Sequence, residues 1–356
     1  MADTRLLVCN CQKSMPLDGA RIATAIGQSE PLPVHTELCG SQLSTVLDAL
    51  GGTTPVRIAC TQEAALFTEA ADEIEGAVDL SFVNIRERAG WCAPDADPNP
   101  KIAALLAMAA YPSKPAGLTT LESDGICLVI GPGQTAIDAA TKLAERLSVT
   151  LVLTDADDIV LPSQRPFGIA KGVVRKAEGH LGGFKVTLNG YAELLPSARA
   201  TAEFALARDG ASADCDVIVD LTGGTALFPP SARRDGYLRA DPGNAAAVSE
   251  ALFLASDLVG TFEKPLYVSY DAEICAHSRS GKTGCRNCLD VCPTGAITPD
   301  EDHVAISAAV CAGCGSCHAV CPTGAASYAY PERGDLLAQV QIALGVYRGA
   351  GGKAPR

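Results

Sequence analysis

Eight of the fifteen cysteines in this 356-residue chain fall between Cys275 and Cys321. Thiolates at short, repeated spacing are metal ligands, and a reducing compartment does not favour a disulfide framework. The run Cys285-Arg-Asn-Cys288-Leu-Asp-Val-Cys292-Pro293-Thr-Gly-Ala-Ile returns 29 residues later as Cys314-Gly-Ser-Cys317-His-Ala-Val-Cys321-Pro322-Thr-Gly-Ala-Ala. In the second copy Cys311 completes the spacing C-x2-C-x2-C-x3-C-P. Three thiolates on one tight turn cap three irons of a cubane cluster. The fourth, beginning a helix, points away and reaches a neighbouring cluster. Zinc also binds C-x2-C pairs, but the doubled Cys-Pro step fits it poorly.

The segment resembles the bacterial two-cluster [4Fe–4S] ferredoxin module. That resemblance implies one cluster on Cys311, Cys314, Cys317 and Cys292, and a second on Cys285, Cys288, Cys321 and one further cysteine. The first copy departs from the pattern, because Lys282 stands where Cys311 stands in the second. The nearest upstream cysteine is Cys275. Either Ala276–Gly284 is a loop insertion that keeps Cys275 as the fourth ligand, or Cys275 is free and the site has three cysteines. Ala276-His-Ser-Arg-Ser-Gly281-Lys282-Thr283 matches a relaxed phosphate-loop pattern, but a loop leading at once into Cys285 and Cys288 cannot also wrap a phosphate.

Cys9 and Cys11 follow the first expected strand, Cys39 the second, and Cys60 ends the third. Strand ends of one kind share one edge of a parallel sheet, so the four thiols converge there. Val8-Cys9-Asn-Cys11, Glu37-Leu38-Cys39-Gly-Ser-Gln42, Ala59-Cys60-Thr-Gln-Glu63, Asn84-Ile85-Arg86-Glu87 and Gly90-Trp91, in this order, resemble the N-terminal domain of the iron–sulfur flavoprotein of heterodisulfide reductase. The resemblance implies a third [4Fe–4S] cluster on Cys9, Cys11, Cys39 and Cys60; Cys92, nearby in sequence, is a candidate substitute ligand. The alternative is four ordinary buried cysteines. Cys127 and Cys215 lie in expected core strands and read as structural.

Ile130-Gly131-Pro132-Gly133-Gln-Thr-Ala136, between a strand and a helix, is a dinucleotide fingerprint with alanine in third place. Gly131, Gly133 and Ala136 are therefore candidate contacts for a nucleotide, FAD or NAD(P). Asp216 to Gly224 resembles the closing strand of two-dinucleotide-domain flavoproteins. Against this stand a stiffened turn at Pro132 and a second strand, ending Leu153-Thr154-Asp155, with no clear acidic residue for a ribose. The span from Asp124 to Gly224 is also too short for separate flavin and nicotinamide domains. A scaffold that merely spaces two cluster-bearing domains is the competing reading.

The elements that must carry these residues read as α/β: two small parallel-sheet α/β domains followed by an α+β ferredoxin-like dicluster domain. Residues 1–115 alternate strands (Arg5–Cys9, Leu32–Glu37, Pro55–Ala59, Val78–Ile85) with helices (Ser41–Leu50, Gln62–Ile74, Lys101–Ala110). Residues 121–260 form the degenerate dinucleotide-binding-like domain, with antiparallel strands expected over Gly172–Leu188 and Ala202–Leu206. Residues 264–330 form the dicluster domain, and 331–356 a C-terminal helix and tail.

The hydrophobic fraction of 47% excludes disorder of the whole chain. A net charge of −13 opposes nucleic acid and anionic membranes. No apolar run reaches the roughly 18 residues of a membrane span, and no signal peptide is evident, so a cytoplasmic location is expected. The reading is electron transfer: a relay of single electrons between redox partner proteins, dehydrogenases or reductases, with no catalytic residues of its own. One alternative is a flavin- or NAD(P)-dependent oxidoreductase component, and another is a cluster-based redox sensor.

Overall fold

The computed structural model describes residues 4–353 apart from 94, 200, 280 and 281. The chain divides into two compact units, one of Met1–Lys114 with Glu332–Arg356, the other of Pro115–Pro331.

In the first unit, strands β1 (Arg5–Cys9), β2 (Val34–His35), β3 (Val56–Ile58) and β4 (Leu80–Phe82) alternate with helices α1 (Gly19–Ala25), α2 (Leu43–Leu50), α3 (Ala64–Asp72) and α4 (Asn99–Ala109). The strands form one parallel sheet in the order β2-β1-β3-β4. Period-two alternation sends neighbouring residues to opposite faces. Leu7 packs with Val46, Leu50, Ile58 and Phe67, whereas Val8 packs with Ile22, Ile85, Ile102 and Leu106. Only β1 carries an uninterrupted apolar run; His35, Arg57 and Ser81 interrupt the other three strands. These three are shorter than expected at both ends, because the chain joins the ladder late and leaves it early. Helix α1 escaped the sequence reading. It is short, and its start is fixed by one cap, the Asp18 carboxylate accepting the Arg21 N–H at 3.0 Å. The C-terminal helix, Arg333–Gly349, packs along α4 within this same unit, with Tyr111 donating to Asp335 at 3.1 Å and Val346 joining the core.

The second unit holds a mixed seven-stranded sheet. Its strands are β6 (Ile126–Pro132), β7 (Ser148–Asp155), β8 (Gly168–Glu178), β9 (Phe184–Glu193), β10 (Ala211–Cys215), β11 (Val217–Asp220) and β12 (Tyr237–Arg239). Their order is β10-β9-β8-β7-β6-β11-β12. β8, β7, β6, β11 and β12 run parallel, while β9 and β10 are antiparallel additions. Helices α5 (Gly133–Leu143) and α6 (Ala245–Ser256) cover one face through Ile137, Leu143, Val248 and Leu252. The third antiparallel strand is Ala211–Cys215, not Ala202–Leu206. Phe204 makes only an isolated bridge to Leu194, and its ring packs against the core under Lys171, so its apolar character reflects one anchor and not a ladder. Beside this sheet, β5 (Leu118–Ser123) pairs with β13 (Gly260–Pro265).

The cysteine-rich segment follows with β14 (Val268–Tyr270), the short β15 (Ser278–Arg279) and β16 (Lys282–Thr283), α7 (Asn287–Val291), β17 (Ile297–Asp300), β18 (His303–Ile306), α8 (Ser316–Val320) and β19 (Ala326–Tyr328). Hairpin β17–β18 and pair β14–β19 flank the two helices, which pack on each other. Arg234 fastens this segment to the sheet by donating to the Thr294 carbonyl at 2.5 Å, and Lys264 does so by donating to the Ala309 carbonyl at 2.8 Å. Ser280 and Gly281, inside the phosphate-loop-like stretch, lie outside the described residues. Among the described residues no helix is long and apolar enough to cross a membrane.

Candidate metal centres

The doubled motif builds two similar cradles. In the second copy, Gly313 and Gly315 adopt φ of 69° and 72°, a left-handed conformation open to glycine, and wrap the chain around Cys314. Cys317 then enters on α8 and is buried. Cys311, Cys314, Cys317 and the first copy's Cys292 line one cavity of about 340 Å³. In the first copy, Cys285 and Cys288 sit at the start of α7. They line a second cavity of about 340 Å³ with Cys275 and the second copy's Cys321. Each Cys-Pro cysteine therefore crosses to the other copy's cradle.

The two crossing cysteines share an environment. Burial works against the Cys292 thiolate, but the Thr294 hydroxyl, 3.6 Å from its sulfur, and the N–H groups of Ala296, Thr294 and Ile297 overcome it and lower the pKa. Cys321 is lowered in the same way, against burial, by the Ala326 N–H and the Thr323 hydroxyl 3.7 Å away. Cys317 and Cys288 go the opposite way. Burial, then the neighbouring Cys311, Cys314 and Cys292, pushes Cys317 up to about 11. Burial, then Cys285 and Cys275, raises Cys288. Four sulfurs sharing one cavity resist becoming thiolates together unless a cation joins them.

Tyr270 and His277, which the sequence reading did not single out, also line the Cys275 cavity. The Tyr270 hydroxyl accepts the Val304 N–H at 3.1 Å, and it is pushed up to about 12 by burial and by a hydrogen bond to Cys275. His277 is buried, with Nδ1 2.9 Å from the Cys285 carbonyl. Neither residue lies at a spacing that advertises a ligand shell.

The N-terminal cysteines meet at the carboxyl edge of the first sheet. The chain moves outward from β1 to β2 on one side and crosses to β3 on the other, leaving a crevice where the strand order reverses. Cys9 ends β1, Cys11 follows it, and Cys39 and Cys60 lie on the loops after β2 and β3. All four line one cavity of about 680 Å³. Gln12, Gln62, Glu63, Arg86 and Glu87 also reach its wall. Burial first, then Glu63, Cys60 and Cys9, raises the Cys39 thiol. Cys92 does not join them. It is exposed, with its sulfur 3.7 Å from the Ala96 carbonyl, and is absent from the cavity wall. Cys127 and Cys215 are buried in the second sheet.

Among the described residues no three His, Cys, Asp or Glu side chains close on a single-ion position. Tetrahedral zinc needs four donors within about 2.0–2.3 Å of one centre. A cubane asks something different of its ligands, since each thiolate binds its own iron and the sulfurs stand apart around a cavity. Four cysteines line each of the three cavities.

Residues 283–325 match the family model of a 4Fe-4S dicluster domain. No curated protein matches the chain. The dicluster module thus carries iron–sulfur chemistry of ferredoxin type, and that chemistry is electron transfer.

The candidate nucleotide residues sit at the turn from β6 into α5. A Cβ on Gly131 would stand 2.9 Å from the Leu221 Cβ and 3.2 Å from that of Ala136, so this glycine permits close packing of helix against strand. Gly133 has φ of 56° and open space before its Cβ position. Asp155 is the last residue of β7, and its carboxylate accepts the Asp157 N–H at 3.0 Å. The loop after β7 is pinned to the first turn of α5 by the Val160 N–H donating to Gln134 Oε1 at 2.9 Å.

Proposed function

We propose that this protein relays single electrons between redox partner proteins through three [4Fe–4S] centres. Their ligands would be Cys311, Cys314, Cys317 and Cys292; Cys275, Cys285, Cys288 and Cys321; and Cys9, Cys11, Cys39 and Cys60. The observation that carries this reading is the lining of three separate cavities by four cysteines each. The likeness of the N-terminal motifs to the heterodisulfide reductase flavoprotein supports the third set, and the cavity at Cys275 supports that residue over a three-cysteine site.

Such centres, when bound, supply a one-electron couple. The chain's own residues do the rest. Thr294 and Thr323 keep hydroxyls beside the sulfurs of Cys292 and Cys321. Ile297, Val304 and Ala326 form an apolar core with Cys317 that limits water. Burial and hydrogen bonds to sulfur are the protein's levers on potential. An excess of thirteen negative charges favours partners with basic docking patches. A reducing, cytoplasmic setting suits so many unpaired thiols.

A second reading has one observation in its favour. The order β8-β7-β6-β11-β12 places the Gly131–Gly133 turn at a strand-order reversal, where doubly wound sheets bind dinucleotides. A middle domain holding FAD would supply the chemistry that exchanges hydride for single electrons, whereas NAD(P) would serve there as the hydride donor. The visible spectrum of anaerobically purified protein separates the two readings. The relay gives one broad iron–sulfur absorption that bleaches with dithionite, and reduced protein gives a paramagnetic signal from coupled clusters. Resolved flavin bands, or reduction by NAD(P)H alone, would favour the enzyme.

A further inference from the structure

We propose that Arg86 is the residue that sets the reduction potential of the N-terminal centre, by donating a charged hydrogen bond to the sulfur of Cys11. This rests on the reading that Cys9, Cys11, Cys39 and Cys60 hold a cluster.

Arg86 begins the helical turn Arg86–Gly90 that follows β4, so its side chain arrives at the same sheet edge as the cysteines. Its fork is fully committed. Nε and Nη2 each lie 2.7 Å from Glu87 Oε1, and Nη2 also reaches Gln62 Oε1 at 3.4 Å. The Trp91 ring lies against the guanidinium plane, 5.2 Å from its centroid. These partners fix the plane and leave Nη1, which donates to Cys11 Sγ at 3.2 Å. A guanidinium stays protonated, so this donor does not switch off with pH.

Among the described residues no other cation donates to a cysteine sulfur. The cradle sulfurs have neutral partners: the hydroxyls of Thr294 and Thr323, the Ala326 N–H, and Ser316 beside Cys314. An N–H held on a ligand sulfur by a positive charge withdraws electron density from the centre. It therefore favours the reduced state, which carries one more electron. Glu37, Glu63 and Glu87 line the same cavity and act in the opposite sense. Removing Arg86 leaves those acids and the thiolates unopposed. Glu87 neutralises part of the guanidinium's charge but does not take the Nη1 proton, so the directional contact survives the ion pair.

The test uses the full-length protein, purified without oxygen, as wild type, Arg86→Gln and Arg86→Lys, with Cys60→Ser to identify the N-terminal signal. Iron per chain and paramagnetic redox titrations are measured on each. With iron unchanged, Arg86→Gln is expected to shift the reduced-to-oxidised ratio of the N-terminal centre at least tenfold toward oxidised at a fixed potential, about 59 mV for one electron. The dicluster signals stay where they were, and Arg86→Lys, which keeps charge and donor but not the fork, shifts less. An unmoved potential with full iron would overturn the role of Arg86 alone. Loss of the centre in both Arg86 variants would make the residue an assembly element and also overturn it. A wild type whose iron is unaffected by Cys60→Ser would remove the N-terminal centre, and the proposal with it.

Discussion

Cys11, Gln12 and Lys13 hold φ of 51°, 54° and 65°, three consecutive non-glycine residues in the left-handed region. That conformation costs an L-residue roughly 1–2 kcal/mol. It is held by the Lys13 N–H donating to Asn10 Oδ1 at 2.9 Å and the Gln12 N–H donating to the Thr36 carbonyl at 2.7 Å. The strain sits where Cys11 is presented to the cavity. Lys13 itself is exposed and does not line the cavity. Lys13→Gly is therefore expected to raise the unfolding free energy by about 1 kcal/mol, relief of strain partly offset by a freer unfolded chain. Urea unfolding checks this, and a less stable variant would contradict the strain. At this scale the sequence was informative about sulfur and nearly silent about its partners. Cysteine type and the 29-residue repeat single out the cradle sulfurs before any fold is known. Thr294 and Thr323 are visible in the repeated Cys-Pro-Thr-Gly, yet hydroxyls have no spacing rule that marks them as sulfur partners. The Arg86–Cys11 contact spans 75 positions, so no local pattern announces it.

Turns and strand ends decide where those residues go. The β6–α5 turn shows how one fingerprint can serve packing. Gly131 is crowded by Leu221 and Ala136, whereas Gly133 faces open space with a positive φ. Gly131→Ala forces helix and strand apart and is expected to cost about 1–3 kcal/mol. Gly133→Ala carries only the backbone penalty, about 1 kcal/mol. Chemical denaturation of the two variants gives the ranking, and a larger loss at Gly133 would contradict the packing role of Gly131. Apolar residues such as Leu7, Val8, Val56 and Ile58 located the parallel strands of the first sheet because they pack in its core. The apolar pattern overextended the strands, since Val83 and Ile85 remain in the core after leaving the ladder. It missed Ala211–Cys215, an edge strand whose polar alternation resembles a loop, and placed a strand at Ala202–Leu206, where Phe204 makes only an isolated bridge.

Across the whole molecule, twelve of the fifteen cysteines gather at two kinds of place. One is the carboxyl edge of a four-stranded parallel sheet, and the other is a doubled turn motif within a 4Fe-4S dicluster domain. The sheet edge follows from topology, so four cysteines scattered between Cys9 and Cys60 gather there without any local repeat. The convergence of Cys275 on Cys285, Cys288 and Cys321 was left open by the long gap after Cys275, because a loop's path is set by tertiary contacts such as the Tyr270 hydrogen bond and not by spacing. The most direct test of the account is the iron and acid-labile sulfide content of the full chain purified without oxygen. Three cubane centres predict about twelve iron and twelve sulfide per chain. About eight of each would remove the N-terminal centre, and a folded protein free of iron would contradict the electron-transfer reading altogether.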